Sequence, residues 1–387
     1  MKKILILLIF LCTGCWNYNE LNDLAIVTAL SVDLEKDNII VNAIVANGKK
    51  ESNSKDNSSS TVVYEGSGKT FMDAIINLES YMPKKLYLGH ITSIVISEDI
   101  AKHKMENISD SLLRNSELLR RYYVIISKDN KASDVLKILS PLEMFPSKNI
   151  SGNLETTSEV SGISSKILFS DFLIKYYENG IEPTLPSIEV IGKVKEGESE
   201  DNIKNSKPKT NLKLSNMAIF KGYKFLGFLN DNESVALNIL LNKIDNLNYT
   251  YYFDNGYVTN KIRSIKSKIK FKDNKYYIDI KGNAVITEIN SDFIVNDLDS
   301  LDKLNNKLNN EIKVLINNVI DASLYKYESD FIGFGEILYK KDIKSFNKLE
   351  SDWINYLKEI DIDVKVDIEL INGGSISWKW SLLNIII

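Results

Sequence analysis

The sequence predicts a mixed α/β (α+β) fold of more than one domain, with mixed sheets packed against helices and no transmembrane span in the mature chain. Three observations predict it. β-Branched runs alternate with segments of helical period through the first half of the chain. Leu298, Leu301, Leu304, Leu308, Ile312, Leu315 and Val319 step by three and four, the pattern of a long amphipathic helix. Ile360, Ile362, Val364, Val366, Ile368 and Leu370 then alternate strictly, as one face of a half-buried strand does. At 387 residues the chain is long enough for two or three domains, and 44% hydrophobic residues exclude wholesale disorder.

In chain order, Leu24 to Val32 and Ile39 to Val45 flank Glu35-Lys36-Asp37-Asn38, a hairpin signal. The Ser/Asn/Lys stretch from Lys49 to Ser60 reads as a loop, and Val62 to Tyr64 as a strand. A helix near Thr70 to Tyr81 places Phe71, Ala74, Ile75 and Leu78 on one face. Strands follow at Ile91 to Ile96 and Tyr122 to Ile126, with mainly helical residues from Glu98 to Leu119 between them. Helices near Ala132 to Leu139 and Ser165 to Tyr177 lead to a strand near Ser187 to Val194. Glu196 to Asn211 is polar, charged and almost free of apolar residues, the composition of a solvated linker. Beyond it come strands at Leu212 to Phe220 and Lys224 to Leu229, and a helix at Glu233 to Ile244. Strands at Ile265 to Phe271 and Tyr276 to Glu288 precede the long helix, and a shorter helix covers Phe346 to Leu357.

Composition excludes several functions. Lys+Arg is 48 against Asp+Glu 52, a net charge of −4, so the basic surplus that phosphate contacts require is missing and nucleic acid is not an expected partner. The only histidines are His90 and His103, and the only cysteines Cys12 and Cys15. A His-based zinc site or a Ser/His/Asp triad lacks its residues, so neither a metal nor a cofactor is expected. Carboxylate pairs stay open among so many acids.

Met1-Lys2-Lys3, the apolar run Ile4 to Leu11 and then Cys12-Thr13-Gly14-Cys15 form a basic start, a short hydrophobic region and small residues before a cysteine. The run is too short to cross a bilayer. It resembles a bacterial lipoprotein signal in which residues 1–14 are removed and Cys15 receives diacylglycerol. The place usually held by Leu, three before the cysteine, is Cys12. A metal or redox pair is the competing reading of C-x-x-C, but Cys12 leaves with the signal and no other ligands stand nearby. Cleavage before Cys15 leaves one cysteine, itself lipidated, so the exported protein has no disulfide.

Candidate motifs elsewhere reduce to structure. Glu65-Gly66-Ser67-Gly68-Lys69-Thr70 sits between strand and helix, where a phosphate loop belongs, but Val63 stands where that loop needs its first glycine. A turn and an N-capped helix explain the same residues. His90 is expected to be hydrogen-bonded and structural, and Glu196 to Asp201 lacks the ligand alternation of a calcium loop. Arginine occurs only at Arg114, Arg120, Arg121 and Arg263 in a lysine-rich chain, and three of the four fall in one short segment. Guanidinium where lysine is the habit points to bidentate pairing. An internal salt bridge is the expected use, and contact with a partner the sharper alternative.

Cys15-Trp16 with Glu20-Leu21-Asn22-Asp23-Leu24-Ala25-Ile26-Val27 resembles the mature start of the Ger(x)C family, the lipoprotein C subunit of GerA-type spore germinant receptors. Further segments agree in order: Leu86 to His90 with Ile96-Ser97-Glu98, Arg114 to Leu118 through Arg120-Arg121, Asn216 to Lys221, and Leu226 to Leu229 with Glu233-Ser234. Asp330-Phe331-Ile332-Gly333-Phe334-Gly335-Glu336 with Trp353 agrees near the C-terminus. The resemblance spans about residues 11 to 371. The tail from Gly373, with Trp378, Trp380 and Ile385-Ile386-Ile387, is more apolar than the family pattern.

The resemblance implies a non-enzymatic lipoprotein on the outer face of the spore inner membrane, working with a membrane-embedded A subunit and a transporter-like B subunit. Composition and patterning along the chain divide it into signal 1–14, anchored N-terminus 15–22, N-terminal α/β region 23–195 of one or two domains, polar linker 196–211, C-terminal α+β domain 212–371 and apolar tail 372–387. Gly333, Gly335 and Glu336 are expected to be structural, the glycines serving a special backbone geometry. The alternatives are a solute-binding lipoprotein that itself captures a small nutrient and a lipid-anchored hydrolase. The first calls for two similar lobes and the second for a nominated acid or serine, and the sequence supplies neither.

Overall fold

The computed structural model describes residues 21–47, 61–295 and 297–371. The signal, Cys15 and the tail from 372 lie outside the described residues, as does the whole of the 49–60 loop.

Thirteen described strands form two sheets. β1 (Leu24–Glu35), β2 (Asn38–Ala46), β3 (Thr61–Gly68), β4 (Lys85–Tyr87), β5 (Ser93–Ser97), β6 (Tyr123–Ser127), β7 (Thr184–Ile191), β8 (Asn211–Lys221) and β9 (Lys224–Phe228) make the larger one. Its order is β3-β2-β1-β5-β6-β7-β8-β9, with β4 beside β1. The central β1, β5, β6 and β7 run parallel, and antiparallel strands flank them on both sides. Every residue of β5 is buried, because a parallel strand in mid-sheet is covered on both faces.

The covering helices follow from the apolar periods. On one face lie α1 (Phe71–Glu79) and α2 (Glu98–His103), with α3 (Met105–Arg114) beyond them. On the other, α4 (Ala132–Lys137) and α5 (Pro146–Val160) pack Val135, Leu136, Ile150 and Leu154 against Ala29, Val95, Ile125 and Ile188. Helix α6 (Phe169–Tyr177) returns to the first face through Phe169 and Phe172. Thr70 caps α1, its hydroxyl accepting from Asp73 N at 3.1 Å, so the Gly-Ser-Gly-Lys turn is a helix start.

The segment expected to be a solvated linker, 196–211, departs from that expectation. It carries part of α7 (Val194–Gly197) and all of α8 (Asp201–Lys204), and it buries Asn202. Asn202 Nδ2 donates to Leu139 O and Thr210 O, both at 2.9 Å, and its Oδ1 accepts from Lys209 and Thr210 N–H. One amide thus satisfies backbone groups that a polar loop cannot satisfy within itself. Composition signals solvation but not such a staple. The segment then delivers β8 antiparallel to β7, so β8 and β9 complete the first sheet rather than open a second unit.

Helix α9 (Asp231–Leu240) leads to the second sheet, β10 (Asn246–Phe253), β11 (Gly256–Lys272), β12 (Lys275–Asn290) and β13 (Ile362–Ile371). The first three form an antiparallel meander, and β13 joins parallel to β12. Parallel pairing needs a crossover, supplied by α10 (Leu298–Asp321), α11 (Phe334–Lys341), α12 (Ile343–Leu349) and α13 (Trp353–Lys358). Leu304, Leu308, Ile312, Leu315 and Val319 of α10 are buried in one apolar core continuous with that of the first sheet. Asn309 binds both the N–H and the C=O of Ile368, at 2.8 and 3.0 Å, and so occupies backbone groups of a terminal strand.

Candidate functional site

The two sheets meet at the turn between α10 and α11, and the turn is organised by one carboxylate. Asp330 Oδ1 accepts from Gly333 N–H at 2.8 Å and Phe334 N–H at 3.1 Å. Its Oδ2 accepts from Gly335 N–H at 2.7 Å and from Trp353 Nε1 at 2.9 Å. Three of the donors are backbone amides at the start of α11 that have no partner inside the helix. The side chain is fully buried; burial pushes its carboxyl above the usual range, and the four donors pull it back. With its lone pairs committed, Asp330 has no capacity left to act as a base or a ligand.

Gly333 has φ +92°, a left-handed conformation that a side chain strains. Gly335 meets Gly180 backbone to backbone, where a Cβ on Gly180 would lie 2.3 Å from the Gly335 carbonyl carbon. Glu336 N–H donates to Gly180 O at 2.7 Å, and Glu182 N–H donates to Asp330 O at 2.9 Å. The turn is thereby bonded to the loop that enters β7. Ser329 Oγ donates to Phe220 O of β8 at 2.7 Å, and Tyr276 OH of β12 donates to Phe334 O at 2.7 Å. Both sheets are held by the same eight residues, 329–336.

A cleft of about 470 Å³ opens beside the junction, lined by Tyr176, Glu178, Glu182, Lys221, Asp330 and Trp353 among others. Burial pushes the Glu182 carboxyl up, although Gly222 N–H donates to it at 2.6 Å. On the far side of the turn, Glu336 and Glu178 both pair with Lys340, Glu178 at 3.0 Å. That bridge, headed by the Lys340 contact, holds Glu178 below the usual carboxylate range against its burial.

The expected site residues separate accordingly. Gly333, Gly335 and Glu336 fall together at the junction. Arg114, Arg120 and Arg121 lie elsewhere, exposed at the last residue of α3 and in the segment that follows it. The internal salt bridge expected of them is not found there: Arg114 pairs with Asp110 at 2.8 Å, one turn away, with both side chains more than half exposed. An exposed i,i+4 pair contributes about 0.3–0.5 kcal/mol. Asn115 Nδ2 contacts Met72 Sδ at 3.7 Å, which sets the segment beside α1, where Met72 and Ile76 are exposed; Leu119 in the segment itself is 61% exposed. Gly180 and Lys175, both at the junction, were not singled out by sequence; neither has a spacing signal, because their partners lie far along the chain. Among the described residues no group of three His, Cys, Asp or Glu side chains is placed to hold a metal.

Comparison with known proteins covers both units. Residues 17–190 match the spore germination protein N-terminal domain family, and residues 215–374 the family described as spore germination B3/GerAC like, C-terminal. The chain is 28% identical to spore germination protein KC of Bacillus subtilis (strain 168), over 97% of its own length and 95% of that protein. It is 23% identical to spore germination protein GerQC of Bacillus cereus, over 96% and 97% of the two chains. The crystal structure of the GerBC protein shares the fold, with a TM-score of 0.55 at 18% identity, covering 89% of this chain and 97% of that one.

Proposed function

Since the chain belongs to the GerAC family of spore germination proteins, we propose that it is the lipid-anchored, non-enzymatic C subunit of a germinant receptor. In this reading diacylglycerol on Cys15 holds it at the outer face of the spore inner membrane, and it works with membrane-embedded A and B subunits. The observation that carries the reading is the pair of family matches, which together run from residue 17 to 374 across both units. No described helix is long and apolar enough to cross a membrane; the proposed attachment is Cys15, at the signal boundary.

The junction supports a scaffold role. Its buried carboxylate is spent on backbone amides, and its effect is to fix one sheet against the other. The surface beside α1 supports contact with another subunit: exposed Met72, Ile76 and Leu119 stand near Arg114, with Arg120 and Arg121 following Leu119 in sequence. Apolar side chains rimmed by guanidinium are favoured at protein interfaces. Cys15→Ala tests the anchor. The variant is expected to lose fatty-acid labelling and membrane association and to abolish the response to germinant. Normal labelling of that variant would contradict the reading.

A further inference from the structure

The first sheet is covered on only one face at the end where the chain enters it. Over Leu24 to Ile26, β1 pairs only with β4, because β2 joins it at Val27 and β5 at Ala29. Side chains alternate along a strand, so the two faces of this short ribbon differ. Ala25, Val27 and Leu86 turn into the larger apolar core. On the other face Leu24 and Ile26 are half-buried and pack against neither core, and their register partners Lys85 and Tyr87 are exposed. The core under α4 and α5 takes up this face only from Ala29 onward. Among the described residues the apolar side chains of the ribbon thus have no second layer, which a sheet face ordinarily needs.

The same end leads to Cys15. Nine residues separate Cys15 from Leu24, and fully extended they span at most about 32 Å. β1 then carries the chain 12 residues, about 40 Å, to its far end. A lipid on Cys15 therefore keeps the ribbon within reach of the bilayer and constrains the far end of β1 much less. The side chains here suit a headgroup layer. Tyr81, just past α1, is 72% exposed, and Lys84 and Lys85 are exposed between it and Tyr87. Tyrosine favours the membrane–water interface, and lysine lays its stem on apolar surface while its ammonium reaches phosphate. The acids at this end are Asp23, Glu79 and Glu117; Glu79 accepts from Leu86 N–H at 2.9 Å, and Glu117 lies 3.9 Å from Lys85. Charge is close to balanced, so the open apolar face carries the contact and the lysines add a preference for anionic lipid.

We propose that the open face of the β1–β4 ribbon, Leu24, Ile26, Lys85 and Tyr87 with Tyr81 and Lys84 at its rim, docks onto the phospholipid headgroups of the bilayer that holds Cys15. The proposal rests on the lipid-anchor reading and deepens it. A lipid on Cys15 alone leaves the chain free to turn on its leash, and a second contact fixes its orientation. The Lys85–Glu117 pair sets the 115–121 segment beside the ribbon, so docking presents that segment to membrane-embedded partners.

The test places the mature lipidated chain in vesicles of phosphatidylglycerol and phosphatidylcholine in equal parts. Tyr87→Cys and Glu35→Cys, at opposite ends of β1, each carry a nitroxide; Lys84→Cys replaces Tyr87→Cys if that variant fails to fold. In vesicles the Tyr87→Cys label should become several-fold less accessible to a water-soluble nickel relaxant than in the unlipidated Cys15→Ala chain in buffer, and the Glu35→Cys label should not change. The unlipidated chain should also co-sediment with these vesicles. Reversing both lysines, Lys84→Glu with Lys85→Glu, should weaken that binding on the order of tenfold or more. Absence of lipid on Cys15 would contradict the anchor alone, since co-sedimentation of the Cys15→Ala chain tests this face by itself. Equal accessibility of the two labels in vesicles would overturn the proposal. So would a Tyr87→Cys label already shielded in buffer, which would assign the face to the chain's own residues 48–60. Unchanged vesicle binding by the double variant, with less of the A and B subunits recovered, would make the face a protein contact and overturn it too.

Discussion

Asp330 and Lys175 are both buried against the 330–336 turn, yet one carboxylate receives four N–H donors while the ammonium finds no acceptor among the described residues. The difference separates a saturated buried charge from one held only at a distance by neighbouring carboxylates. A saturated buried ion holds its surroundings in place, and removing it strands every donor. An unsaturated one costs stability.

Asp330→Ala is the largest way to break this comparison. It leaves four buried N–H groups without an acceptor, at a cost of about 3–5 kcal/mol. Urea denaturation should place its midpoint far below wild type, and a loss under 1 kcal/mol would show that the junction is not held by this carboxylate. Gly180→Ala comes next. Its φ is +80° and the new methyl would enter the Gly335 backbone, so a loss of about 2–3 kcal/mol is expected.

Lys175→Met sharpens the other side and has a pH signature. Burial, with Lys243 adding to it, pushes the Lys175 ammonium down to about 8. In the unfolded chain the group stays protonated to about 10.4. Between those values the unfolded state binds more protons, so wild-type stability gains from this group as pH rises above about 8. Below about 8 its full penalty, about 3 kcal/mol, is present. The advantage of Lys175→Met should therefore be greatest at neutral pH and shrink toward pH 10. A pH-independent difference between the two proteins would contradict the burial of an ammonium there. The smallest effect belongs to the exposed arginine: Arg114→Ala should shift stability by less than about 0.5 kcal/mol.

What was legible in the sequence follows the same division between local and distant partners. The α10 stripe and the alternation of β13 are repeated local patterns, and both elements appear with the expected face turned inward from Leu304 and Val364 onward. Leu298 at the helix start is 77% exposed, however, and Ile362 and Val366 are half-buried. Helix α5 was not legible, because only Ile150 and Leu154 carry its apolar face among buried serines. β10 was missed for a related reason: Leu247 and Tyr251 point inward, but Asn and Thr on the outer face resemble a loop. In the junction, the left-handed backbone at Gly333 and the close approach at Gly335 fall on glycines that the family resemblance marks as structural. Gly180 and Lys175 lie more than 140 positions from Asp330 and Glu336 in sequence, and only the fold brings them together.

The central claim is that this chain acts by assembly, as a receptor subunit. Affinity purification of a tagged chain from solubilised spore membranes tests it most directly, with Arg120→Ala and Arg121→Ala in parallel. The account predicts that wild type brings down the A and B subunits, and that the variants keep the wild-type melting temperature while recovering less of both. Recovery of the tagged chain alone from membranes that contain both subunits would contradict it.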